Sequence, residues 1–279
     1  YRLLSERRHS GPVFLYQSSG SDQILKMNKK KIGLTSVTFR QKSVEEILDI
    51  CTAIGLDGIE WGGDVHLPPG DPQNADAVAS GTRAHNLEVT SYGSYYRLCS
   101  HEDIEQEFRP VLLTASAIHA PIIRIWAGTI PSADATDAYF EQAVRELDLI
   151  CDMADRYRIS IGLEYHRNTL TDNRNATRKL LDRAGRENLY TYWQMNPDLT
   201  HSEHLEEIKV LKDKICCVHT FYWGGKNTRL TMREGMDDWR EFIELLQDTQ
   251  CPFLFEFVKD DSVEQLREDA DTLKHLLSA

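Results

Sequence analysis

Ile159-Ser160-Ile161-Gly162-Leu163-Glu164 is an apolar run that stops on a carboxylate, and the same figure recurs three times downstream. The run NLYTYWQ stops on Gln194, KICCVH on His219 and CPFLFE on Glu256. The intervals between these four terminal residues are 30, 25 and 37. A strand, a helix and two loops take roughly 25–40 residues, so each interval is the length of one β/α unit. In a (β/α)8 barrel the carboxyl ends of all strands meet at one mouth, which makes neighbours of residues far apart in the chain. Two carboxylates, one amide oxygen and one imidazole converging there form a divalent-metal donor set of mixed oxygen and nitrogen character.

Outward from this stretch, strand-like and helix-like runs alternate from residue 32 to the end. The predicted strands are 32–37, 58–61, 88–92, 122–126, 160–164, 189–194, 215–219 and 252–256. They are short and rich in Ile, Val, Phe and Tyr, as strands covered on both faces should be. Ser43 followed three residues on by Glu46 reads as a capping box opening the first helix, and Gly55 as its C-terminal stop. Helices are also predicted over 135–157 and from Ser262 onward. Eight strands alternating with helices predict a single α/β domain, a (β/α)8 TIM barrel over 27–279. No G-x-G-x-x-G follows the first strand, so a dinucleotide-binding fold has no support. Residues 1–26 lack periodicity and read as a leader outside the barrel, with Met27 opening the barrel sequence.

The chain has 279 residues and a formal net charge of −12. That charge opposes a nucleic-acid partner, whose phosphates demand a basic footprint. No apolar run approaches the ~18 residues of a membrane span, so no membrane association is expected. The six cysteines include no C-x-x-C pair. They read as reduced, buried thiols of a cytoplasmic enzyme.

The motifs Ile-Gly-Leu-Glu164-Tyr-His, Tyr-Trp-Gln194, Val-His219 and Phe-Glu256-Phe, with Gly55-Leu56-Asp57-Gly58-Ile59-Glu60 upstream, resemble the xylose-isomerase-like TIM barrels of the sugar phosphate isomerase/epimerase superfamily. The resemblance covers roughly residues 31–279. It implies a metal-dependent isomerase or epimerase acting on a sugar or small polyol ketone through an enediolate, and assembly as a homo-oligomer. One divalent ion is expected on Glu164, Gln194, His219 and Glu256. Mn²⁺ stands first, with Mg²⁺, Co²⁺ or Zn²⁺ as alternatives. Glu164 and Glu256 are expected as the acid/base pair. The family usually carries Asp where Gln194 stands, His where Pro197 stands and Arg where Gly225 stands. A dehydratase of the inosose-dehydratase type begins with the same proton abstraction and is the alternative. A catalytically weak sugar-binding subunit is a further one. A DNA-repair endonuclease is disfavoured by the acidic charge and by a fourth strand ending Ile-Trp126-Ala-Gly without histidine.

Around this centre, Trp61, Tyr92, Trp126 and Trp223 lie at or just beyond strand ends and are expected as an aromatic wall for a sugar. His66, His166 and Lys226 are expected to contact substrate. His201 and His204 read as surface or mouth residues.

Overall fold

The computed structural model describes residues 30–225 and 228–278. The expected leader, 1–26, and Lys226 lie outside the described residues. Eight parallel strands close into a barrel: β1 (Ile32–Thr35), β2 (Gly58–Gly62), β3 (Glu88–Arg97), β4 (Ile122–Trp126), β5 (Ser160–Leu163), β6 (Leu189–Trp193), β7 (Ile215–Thr220) and, eighth in the ring, β10 (Phe253–Phe255). β10 pairs with both β7 and β1 to complete the closure. Two short strands, β8 (Tyr222–Gly224) and β9 (Thr228–Leu230), form an antiparallel hairpin above β7. The hairpin is absent from the sequence-based expectation, since three-residue strands carry too little periodicity to read.

Eight helices surround the barrel among the described residues: α1 (Val44–Ile54), α2 (Pro72–Ala84), α3 (Ile104–Ala117), α4 (Asp137–Asp155), α5 (Arg174–Ala184), α6 (His201–Leu211), α7 (Met236–Leu246) and α8 (Val263–Ser278). The Ser43/Glu46 capping box forms as read, and Gly55 ends α1 at φ 70°, the left-handed conformation that glycine enters without a Cβ penalty. The α4 stripe of Phe140, Ala143, Leu147, Ile150 and Ala154 is buried against the barrel. Each large apolar side chain sealed in this layer contributes about 1.5–3 kcal/mol.

Two strand ends differ from expectation in a way that shapes the mouth. The first strand stops at Thr35 instead of 37, and the chain turns into a 3₁₀ segment over Ser36–Phe39. There Thr38 Oγ1 donates between the carbonyls of Phe255 (3.0 Å) and Glu256 (2.9 Å), pinning the end of β10. β3 runs on to Arg97, five residues past the expected end. Glu164, Gln194 and Glu256 each stand one residue beyond their strands, and His219 is the penultimate residue of β7.

In the helix layer, buried Asp269 of α8 accepts from the backbone N–H of Met232 and from Gln265 Nε2, both at 2.9 Å. Burial pushes its carboxyl up from 3.8 to about 6. The folded state therefore holds this proton more tightly than the unfolded chain does. The stability it contributes is full below about pH 4 and is lost as pH rises through about 6. Asp269→Asn keeps the acceptor and removes the ionisation. Urea titrations across that window should show the wild type losing about 1–3 kcal/mol relative to the variant; parallel curves would contradict the assignment.

Candidate metal centre at the barrel mouth

Side chains alternate across a strand, so in a closed barrel every second residue points to the axis. This places Glu60, Ser91, Arg124, Tyr192 and His219 inside, with Glu164, Gln194 and Glu256 above them at the strand ends. Small residues make the room: a Cβ on Gly93 would stand 2.6 Å from Arg124 Nη2, and one on Gly162 2.5 Å from the Tyr192 ring. The bottom of the interior is apolar, closed by Tyr192, Cys217 and Leu254.

Glu60 is the hub of this interior. It accepts from Ser91 Oγ (2.7 Å), Tyr192 Oη (2.8 Å) and Arg124 Nε (3.0 Å), and its Oε1 lies 3.4 Å from His219 Nε2. Burial alone would raise its carboxyl; Arg124 and His219 outweigh that and hold it well below the usual range. Arg124 uses its other arm, Nη1, on Glu164 Oε2, so one fully buried guanidinium bridges two buried carboxylates. Its Nη2 has no hydrogen-bond partner.

His219 joins the hub to the mouth. While Nε2 faces Glu60, Nδ1 lies 3.1 Å from Gln194 Oε1 and 3.4 Å from Glu256 Oε2. Desolvation would lower this imidazole, but Glu256 and Glu60 raise it to about 10. Glu256 in turn is raised by burial and lowered more by His219 and Arg124. Donor atoms of Glu164, His219 and Glu256 lie within 4.8 Å of one another, all three residues buried.

This constellation fits a divalent cation on its own chemistry. Glu256 Oε2 is buried with no hydrogen-bond partner. Three buried carboxylates against one guanidinium leave two negative charges once His219 is neutral. Nδ1 faces the oxygens of Gln194 and Glu256, while Nε2 lies 3.4 Å from Glu60 Oε1, a carboxylate placed to orient the ring of a ligating histidine. A second group, Glu45, Asp49 and His85, lies on the helix layer with both carboxylates exposed, where hydration already satisfies them.

A cleft opens onto the centre between Tyr165, His166, Gln194, Asn196, Trp223 and Glu256. The Trp223 ring packs 5.3 Å from Phe221 and 5.2 Å from Phe257. Trp126 lies 4.3 Å from the His166 ring, with the Arg97 guanidinium 4.1 Å over the indole. Both indole N–H groups are buried without a hydrogen-bond partner. His166 Nδ1 lies 2.6 Å from the Arg167 carbonyl. A carbonyl only accepts, so Nδ1 carries the hydrogen and, in the neutral ring, Nε2 is the nitrogen with the lone pair.

Three expected wall or contact residues sit elsewhere. Trp61 follows inward-facing Glu60 and so points outward, donating to Thr82 of α2 at 3.1 Å. Tyr92 follows inward-facing Ser91 and donates to the Leu67 carbonyl at 2.8 Å, fully buried beneath the loop. His66 is tucked under α2, with Nε2 3.0 Å from the Lys42 carbonyl and its ring edge-on to Trp61. His204 is buried as well, not superficial. Conversely, Glu60 and Arg124 carry no role in the sequence-based reading. Their signal was a charge at an inward position of an otherwise apolar strand, in Gly-Ile-Glu-Trp and Ile-Ile-Arg-Ile-Trp.

Closed barrel and buried polar mouth together define an α/β barrel with a candidate metal site at the strand ends. The chain belongs to the xylose isomerase-like TIM barrel family, whose model matches residues 48–276. It is 26% identical over 178 residues to a 3-dehydroshikimate dehydratase of Bacillus anthracis, covering 61% of this chain and 62% of that relative. The match thus spans about three fifths of the relative's length. Among solved structures, a probable 3-DHS dehydratase involved in petrobactin synthesis from Bacillus anthracis superposes with a TM-score of 0.75 at 21% identity, covering 87% of this chain and 98% of that one. A D-psicose 3-epimerase from Clostridium cellulolyticum gives 0.67 at 13% identity, covering 89% and 97%. A xylose isomerase-like protein from Mycobacterium smegmatis in complex with magnesium gives 0.65 at 13%, also covering 89% and 97%.

Arg124→Met should destabilise the barrel by about 3–5 kcal/mol in urea unfolding, because it leaves two buried carboxylates uncompensated. Adding Glu60→Gln to it should recover part of that loss. Simple additivity of the two losses would show that the pair is not coupled.

Proposed function

We propose that this chain is a metal-dependent lyase that removes water from a cyclic hydroxy ketone of the 3-dehydroshikimate class. The observation that carries the reading is the unequal standing of the groups able to move a proton. Epimerisation through the expected Glu164/Glu256 pair needs two free carboxylates, one on each face of a carbon. Glu164 is tied to the buried Arg124 guanidinium. That contact occupies its Oε2, whereas a free base needs its oxygens open to the substrate. His166, by contrast, faces the cleft with its tautomer set by the Arg167 carbonyl and Nε2 ready to accept. One such base suffices for elimination. The similarity to the Bacillus anthracis dehydratase supports the same choice.

In this reading Glu164, Gln194, His219 and Glu256 hold one divalent ion. Its oxygen-rich donor set with a single imidazole favours Mn²⁺ or Mg²⁺ over softer ions. When bound, the ion supplies positive charge where negative charge develops beside the carbonyl. Glu60 keeps the His219 ring oriented through Nε2, and Arg124 fixes the Glu164 carboxylate. His166 Nε2 takes the proton from the carbon next to the substrate carbonyl, and those electrons form the new double bond. The hydroxyl on the adjacent carbon departs, and the His166 imidazolium returns the proton to it, so one water is lost and the imidazole is regenerated. Trp126 holds the imidazole ring in place, and Trp223 closes the far wall over the apolar face of the ligand. The Trp223 indole N–H, on a residue lining the cleft and without a hydrogen-bond partner, is a donor left for a substrate oxygen.

3-Dehydroshikimate becomes aromatic on losing water, so incubation with Mg²⁺ or Mn²⁺ should produce aromatic proton resonances. His166→Gln should cut that rate by at least ~10²-fold while metal binding persists. Glu256→Ala should lose the metal. Incorporation of solvent deuterium into a ketose without loss of water would instead establish the two-carboxylate epimerase.

A further inference from the structure

Glu207 of α6 lies outside the barrel, buried to 1% exposure, and the proposed chemistry does not use it. It accepts from Tyr165 Oη at 2.5 Å and from Trp193 Nε1 at 3.2 Å. Burial pushes its carboxyl up to about 7, with the two donors pulling the other way. A carboxylate is a costly way to fill an apolar layer; a leucine would fill it at no electrostatic cost. Its two donors are also the immediate neighbours in sequence of Glu164 and Gln194.

We infer that Glu207 is a positioning residue that sets the spacing and orientation of Glu164 and Gln194 for the metal, an inference that rests on the ligand set proposed above. Alternation supplies the lever. Because Glu164 and Gln194 face the mouth, Tyr165 and Trp193 face the helix layer, and one carboxylate clasps both. Rotating either strand end away from the metal position breaks a buried hydrogen bond. β5 and β6 are adjacent and paired, Leu163 opposite Thr191, so the clasp spans the gap above their last ladder contacts. One helical turn earlier on the same face, His204 Nε2 lies 3.0 Å from both N and O of Asn196, two residues past Gln194 in the cleft wall. α6 is itself held rigid by a capping box of Thr200 and Glu203. The helix thus grips the segments on both sides of the cleft from outside the barrel.

Calorimetric titration of the full chain with Mn²⁺ tests this, with melting temperature recorded with and without metal. Glu207→Ala should weaken Mn²⁺ binding by about 10-fold, the low end for groups that support metal ligands indirectly. Glu207→Gln, which keeps an acceptor, should recover part of that. The rise in melting temperature on adding Mn²⁺ should shrink in the alanine variant. Should that variant fail to fold, Tyr165→Phe removes one bond with the ring retained and should weaken binding in the same direction. An unchanged Mn²⁺ affinity with melting temperatures lowered equally in both states would overturn the inference and leave Glu207 as packing alone. Failure of the wild type to bind Mn²⁺ would overturn the ligand set itself, and the inference with it.

Discussion

The ion pair between Glu60 and Arg124 is the constraint on which the rest of the barrel interior depends. Two opposite charges are sealed among parallel strands, each less than 3% exposed. Their desolvation is offset by further contacts: Ser91 and Tyr192 complete Glu60, and Glu164 takes Nη1 of Arg124, leaving only Nη2 without a hydrogen-bond partner. Such an array is intolerant of partial loss, since removing one member leaves another charge uncompensated in a low dielectric. That intolerance gives the mouth a fixed electrostatic floor. Glu60 faces one nitrogen of His219 and so presents the other to Gln194 and Glu256.

A second polar layer lies outside the strands. Glu146 of α4 accepts from Tyr96 Oη (2.6 Å) and from the Cys99 backbone (2.8 Å), and Glu207 of α6 performs the matching task for Tyr165 and Trp193. Both are carboxylates on helices, reached by an aromatic residue near the end of a strand. The site is therefore held from inside by Arg124 and from outside by helix-borne acceptors, with the strand backbone as the rigid sheet between. Members of this family share the barrel, and a barrel does not by itself specify a reaction. In this chain Glu164 is tied to Arg124, while His166 lines the open cleft.

How much was legible in the sequence follows from the range of each interaction. The eight barrel strands and the order of their ends could be read because strand alternation, capping and loop spacing are local: the Ser43/Glu46 box, Gly55 and the four polar strand-end residues all stood in plain view. The same local pattern also misplaced Trp61, Tyr92 and His66. Proximity to a strand end marks a residue as close to the mouth, but which face it takes depends on the register of that strand against its neighbours. A shift of one residue exchanges inside for outside. In β2 and β3 the inward positions belong to Glu60 and Ser91, which sends the aromatic residues outward.

By itself, then, the sequence determined the fold class, the sequence positions of the barrel strands and the convergence of Glu164, Gln194, His219 and Glu256, because each rests on periodicity and spacing along one chain. Tertiary structure alone decided the partners of those residues. That Glu60 reaches Tyr192 across 132 positions, that Arg124 bridges Glu60 and Glu164, and that Glu207 reaches back 42 positions to Tyr165 are consequences of barrel closure. Closure fixes distances between residues that share no local signal, and the burial it imposes gives those few polar contacts their strength.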